Sequence, residues 1–202
     1  MPTHGTQRAY LDDGPAPRKF VLVISCMDCR FMDDLVRFLD HDNLTNRYYH
    51  IAFAGTGLCL TGEIAKYPEP QCGRPDFRPW RAMLEEHMKV VVELTGGKFE
   101  DVYVVEHRDC GAYAKYLGAD YYPYEGKPRL DEEKRDHAVF AHALRDDLTA
   151  WFKTTLPALA EELGLPPQRI PHVHSFLLGV RGEVESLDTP LGPTKPKKKR
   201  KK

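Results

Sequence analysis

Four short runs of apolar and β-branched residues punctuate the chain: Lys19 to Ser25 (KFVLVIS), Tyr48 to Ala54, Asp101 to Glu106 (DVYVVE) and Pro171 to Val180 (PHVHSFLLGV). Each is too short for a helix and reads as a buried strand. Between them lie segments with apolar residues at helical spacing. Phe31 to Leu39 carries Asp33 and Asp34 near its start, where acids suit a helix N-terminus. Arg81 to Leu94 stops at Gly96-Gly97, a C-cap signal. Gly111 to Leu117 opens another helix, and Glu132 to Leu156 is a long amphipathic one followed by a short helix from Pro157 to Leu163. Gly182 turns the last strand into a short partner at Val184 to Leu187. Strands alternating with helices predict an α/β fold with a mainly parallel β-sheet flanked by helices.

The length of 202 residues suits one domain with a sizeable core. We assign residues 1–17 to a loose N-terminal arm, 18–188 to the folded domain and 189–202 to a basic tail. The formal net charge of -1 gives the body no bias toward nucleic acid. No run of 18 apolar residues exists, and the N-terminus lacks the pattern of a signal peptide, so a cytoplasmic protein without a membrane span is expected. The tail, Pro193 to Lys202 (PTKPKKKRKK), has no apolar residues and repels itself. Its first reading is a solvated extension; the sharper ones are contact with nucleic acid or an acidic surface, or a nuclear localisation signal.

The chemistry concentrates in two clusters, each just past the C-terminal end of a predicted strand. One is Cys26-Met27-Asp28-Cys29-Arg30, and the other is His107-Arg108-Asp109-Cys110. Open parallel sheets place functional groups in the crevice at those carboxyl edges, so adjacent strands bring the two clusters to one point. Two thiolates (Cys26, Cys110) and one imidazole (His107) suit zinc in softness and tetrahedral geometry, and three protein ligands leave one position for water or substrate. Three other readings fit the same residues. Cys26 and Cys29 fit a CxxC redox pair; Cys29 fits a fourth ligand of a closed Cys3His site; and free cysteines are often simply buried.

Cys26, Asp28 and Arg30 form Cys-x-Asp-x-Arg, which together with His107-x-x-Cys110 resembles the paired motif of the β-class carbonic anhydrases. Looser matches are Ala54-Gly55, Asp109-Cys110-Gly111 and the stretch from Val173 to Leu187. The resemblance spans roughly residues 18 to 188. It implies a β-carbonic anhydrase-like fold, Zn2+ held by Cys26, His107 and Cys110, and Asp28 and Arg30 as catalytic residues. It also implies reversible hydration of CO2 to bicarbonate by water ionised on the zinc, and a homodimer or larger homo-oligomer. Asp28 then either ligates the metal or, paired with Arg30, accepts a hydrogen bond from the water. Where the family has Arg-Asn before Ala-Gly, this chain has Ala52-Phe53. The proline-rich stretch Tyr67 to Pro79 and the tyrosine-rich stretch Gly118 to Pro128 look like insertions, suited to roofing the site or to a subunit contact. The alternatives are a hydrolase of carbonyl sulfide or carbon disulfide at the same zinc, and a non-catalytic zinc-stabilised binding or assembly module. His87, His172, His174, Cys59 and Cys72 are left outside the site, as packing or surface residues.

Overall fold

The computed structural model describes residues 20–124 and 129–188; the arm (1–17) and the tail (189–202) lie outside the described residues. Its centre is a five-stranded sheet in the order β2-β1-β3-β4-β5, formed by β1 (Phe20–Ser25), β2 (Tyr48–Ala52), β3 (Phe99–His107), β4 (His172–Leu178) and β5 (Val184–Ser186). The pairs β1–β2, β1–β3 and β3–β4 are parallel; only β5 runs antiparallel, beside β4. The mainly parallel α/β architecture is therefore present.

Helices cover both faces. The face bearing Leu22, Ile24, Val102 and Val104 packs on α3 (Arg78–Thr95) and α5 (Leu130–Glu162) through Leu84, Met88, Leu144, Leu148 and Phe152. The opposite face, with Val21, Val23, Tyr103 and Val105, packs on α1 (Met32–His41) through Leu35 and Leu39. This two-sided burial is why the strands read as continuous apolar runs.

Several boundaries differ from expectation. Helix α3 begins at Arg78, inside the stretch expected to be a loop through Pro79. Proline is tolerated in a helix's first turn, where its missing N–H has no intrahelical partner to lose. Helix α5 runs through Pro157 instead of breaking there. Pro157 is exposed, on the side where a lost helical hydrogen bond costs least, while Leu156 and Ala160 remain buried and hold both halves to the core. Two short elements had no sequence signal: α2 (Gly57–Leu60) and a 3-10 turn at Gly62–Lys66.

The stretch 67–79 is tied down by packing of Tyr67 and Phe77 and, most extensively in hydrogen bonds, by Arg74. Arg74 donates to the backbone carbonyls of Ile64 at 3.1 Å, Tyr67 at 2.9 Å, Pro68 at 2.6 Å and Tyr116 at 2.8 Å. Its fork thus ties the stretch to the end of α4 (Gly111–Leu117), the helix that starts directly after Cys110.

Candidate metal centre

Parallel pairing of β1 and β3 sets Ser25 opposite Val105, so both strands end at the same edge and deliver Cys26 and His107 side by side. Cys110 follows after a sharp turn in which Asp109 adopts a left-handed φ of 55°. Cys26, His107 and Cys110 are all buried, and their ligand atoms lie within 4.8 Å of one another. The two sulfurs are 3.9 Å apart. Tetrahedral zinc with Zn–S bonds of about 2.3 Å separates two sulfurs by about 3.8 Å, so the observed spacing fits that ion.

The histidine is prepared in the same sense. Its Nδ1–H donates to the Arg108 carbonyl at 2.8 Å, which assigns the lone pair of the neutral ring to Nε2. Nε2 is buried and has no hydrogen-bond partner among the described residues, an arrangement that costs free energy unless something binds there. The Phe31 ring packs over the imidazole with centroids 4.2 Å apart and fixes its plane.

Without metal, the thiols share charge unequally. A hydrogen bond from the Cys110 thiol, helped by His107 and by the Gly55 N–H at 3.3 Å, pulls Cys26 down to about 4 against the cost of burial. Cys110 is pushed well up by Cys26 and by burial. Burial disfavours a charged His107, but the Cys26 thiolate outweighs it and holds the ring above its usual value.

Asp28 and Arg30 sit at the mouth of this cluster. Both carboxylate oxygens accept from Arg30: Nε donates to Oδ1 and Oδ2 at 3.0 and 3.1 Å, and Nη2 to Oδ2 at 2.7 Å. Arg30 also reaches across to the other cluster, donating to Asp109 Oδ2 at 3.1 Å and to the Asp109 carbonyl at 2.9 Å. The guanidinium holds Asp28 below its ordinary value, so the carboxylate is ionised and can only accept. Asp28 Oδ2 lies 3.9 Å from His107 Nε2, next to the cluster and in the grip of Arg30. The Arg30 side chain is 50% exposed, and an ion pair that wet adds little to stability. A small cavity of about 10 Å³, room for one water-sized molecule, adjoins Cys26 and His107 and is lined mostly by Phe31, Leu35, Val105 and Leu178.

The residues set aside stay aside. Cys29 is exposed and outside the cluster, and Cys26 faces Cys110. That geometry disfavours the closed Cys3His site and the CxxC pair alike. His87 lies on α3 and contacts its own helix at the Met83 carbonyl; His172 contacts Arg169 and His174 contacts Asp101. Cys59 is buried and Cys72 exposed.

A buried polar chain behind the cluster was not anticipated. Glu106 accepts from the Gly57 N–H at 2.8 Å and meets His137 Nδ1 at 3.2 Å; His137 Nε2 meets the Tyr122 hydroxyl at 3.2 Å; Tyr122 donates to Glu133 at 2.6 Å. Since the Tyr122 hydrogen goes to Glu133, His137 donates to Tyr122 from Nε2; in its neutral form the ring then offers a bare Nδ1 to a protonated Glu106. Burial acts in the same direction, pushing Glu106 up to about 8 and His137 down to about 3. Gly57 is required here: a Cβ would stand 2.7 Å from the Phe140 carbonyl oxygen.

An acid whose pKa is raised in the native state keeps its proton there after the unfolded chain has released it. Glu106 thus lowers the stability of the metal-free protein as pH rises from about 4.5 to about 8. Glu106→Gln removes that loss, and its melting temperature should gain on the unaltered protein by roughly 5–10 °C between pH 5 and 8, read by thermal unfolding in chelator. A gap that does not widen with pH would place the ionised form of Glu106 in the native state.

No family model matches the chain, and no solved structure matches it. An uncharacterized protein of Rickettsia conorii is 24% identical over 166 residues, covering 82% of this chain and 70% of the relative. An uncharacterized protein of Rickettsia bellii is 23% identical over 166 residues, covering 82% and 80%. Among the described residues, no helix is long and apolar enough to cross a membrane.

Proposed function

We propose that the protein is a zinc enzyme that interconverts carbon dioxide and bicarbonate, as the resemblance to β-class carbonic anhydrases implies. The observation that carries this reading is the joining of both motifs: a buried Cys26–His107–Cys110 cluster with a bare Nε2, and Arg30 bridging Asp28 to Asp109 at its mouth. A zinc ion held there would lower the pKa of water at its fourth position and so supply a nucleophile near neutral pH.

The chain's own residues do the rest. Two thiolates nearly cancel the divalent charge, so acidification is weaker than in a tris-histidine site. Asp28 would compensate by position: held ionised by Arg30 at the mouth of the cluster, it can only accept, and so would take a hydrogen bond from a water bound there and orient it. Arg30, which donates to both oxygens of that carboxylate, would keep it off a bound metal.

Stopped-flow CO2 hydration, run beside carbonyl sulfide hydrolysis on the zinc-loaded full chain, tests the assignment. CO2 hydration well above the buffer rate and rising with pH is expected. Carbonyl sulfide hydrolysis alone would move the substrate to that class; neither activity would leave a zinc-stabilised module.

A further inference from the structure

The turn that sets the spacing of His107 and Cys110 does not support itself. Asp109 holds a left-handed φ of 55°, a conformation in which a non-glycine residue is strained. The N–H groups of Asp109 and Cys110 are both taken by side chains from elsewhere. Asp109 N–H donates to Glu133 Oε1 on α5 at 2.7 Å, and Cys110 N–H donates to the Tyr122 hydroxyl at 3.1 Å. Tyr122 in turn donates to the same Glu133 oxygen at 2.6 Å, closing a ring of three hydrogen bonds on the turn. The other oxygen, Oε2, accepts from Arg108 Nη1 at 3.3 Å, so each residue of 108–110 is gripped.

We propose that Tyr122 and Glu133 form a clamp that holds the Arg108–Cys110 turn in metal-binding geometry. They act as positioning residues for the two ligands on either side. The inference rests on the reading that Cys26, His107 and Cys110 hold a metal ion, and it goes beyond that reading by assigning a role to the tyrosine-rich stretch and to α5. Tyr122, from the stretch expected to roof the site or contact a subunit, is buried behind Cys110, 1% exposed.

Stability alone does not account for the arrangement. Glu133 is 4% exposed and Arg108 3%, and well-packed apolar side chains generally serve a core as well as a buried ion pair or better. What the polar set supplies is direction: two N–H groups fixed at defined points, and with them the path of the backbone between the ligands. Outer-shell partners of this kind commonly change metal affinity by about 10- to 100-fold when removed.

The test is zinc affinity of the full chain, stripped with chelator and titrated in competition with a chromophoric chelator. Tyr122→Phe and Glu133→Gln should each bind zinc 10- to 100-fold more weakly than the unaltered chain, by the same outer-shell precedent. The visible spectrum of Co2+ in the site should also shift in both. Leu148→Ala, a core truncation remote from the turn, serves as the control: it lowers the melting temperature and leaves zinc affinity and the Co2+ spectrum unchanged. If Tyr122→Phe does not fold, Glu133→Gln decides the matter. Variants that bind zinc within about twofold of the unaltered chain, whatever their melting temperatures, would overturn the clamp and leave the metal centre standing. An unaltered chain that takes up no zinc would overturn both.

Discussion

Replacing His107 by Ala should weaken zinc binding by more than about a hundredfold, and Cys26→Ser or Cys110→Ser should do the same. The magnitude follows from dividing the roughly 10–16 kcal/mol of a four-ligand zinc site among its ligands, on the order of 3 kcal/mol each. His107 is the sharpest case because its Nδ1–H is committed to the Arg108 carbonyl and its Nε2 has no other partner. Removing the ring therefore takes away a ligand without orphaning any other side chain. The loss is read by metal analysis after desalting, with about one zinc per unaltered chain expected and little in the variants. It is also read as a melting temperature that zinc no longer raises, since only ligand bound to the native state stabilises it. Cys29→Ser should retain the metal, because Cys29 is exposed and outside the cluster. Loss of zinc in Cys29→Ser would revive the closed Cys3His reading.

The second large effect falls on turnover and spares the metal. Asp28→Asn keeps the size of the side chain but replaces an acceptor-only carboxylate with an amide that also donates. Zinc content should stay near one per chain while CO2 hydration falls by about 10²- to 10⁴-fold, the range typical of a group that manages a proton at the reacting atom. Arg30→Met approaches the same pair from the other side. With the guanidinium gone, Oδ1 still accepts from the backbone N–H of residue 30 at 3.1 Å, but Oδ2, 3.9 Å from His107 Nε2, is released to turn toward the metal. Activity should fall and zinc should bind at least as tightly. Full activity in Asp28→Asn would remove Asp28 from the mechanism.

The strands were legible because a sheet covered by helices on both faces demands uninterrupted apolar runs, and Lys19–Ser25 and Asp101–Glu106 have little else to be. The residues of the candidate metal centre followed from them, since each cluster begins where such a run stops. Local chemistry hid other features. Pro157 looks like a break, yet burial on both sides carries α5 through it. Pro79 looks like a loop residue, yet it sits in the first turn of α3. The clamp was illegible for a different reason. Glu133 and His137 lie four apart near the acid-rich start of α5, where carboxylates are normally a solvated helix terminus. Nothing local marks these two as buried; their partners, Asp109 and Tyr122, are 24 and 11 residues from Glu133 and meet it only in the folded chain.

The metal's own environment is the most direct test of the centre. X-ray absorption at the zinc edge of the loaded protein should show two sulfur neighbours at about 2.3 Å and two nitrogen or oxygen neighbours at about 2.0–2.1 Å. The sulfurs are Cys26 and Cys110, one nitrogen is His107 Nε2, and the fourth neighbour is the exchangeable position. Three sulfurs, or none, would contradict this account.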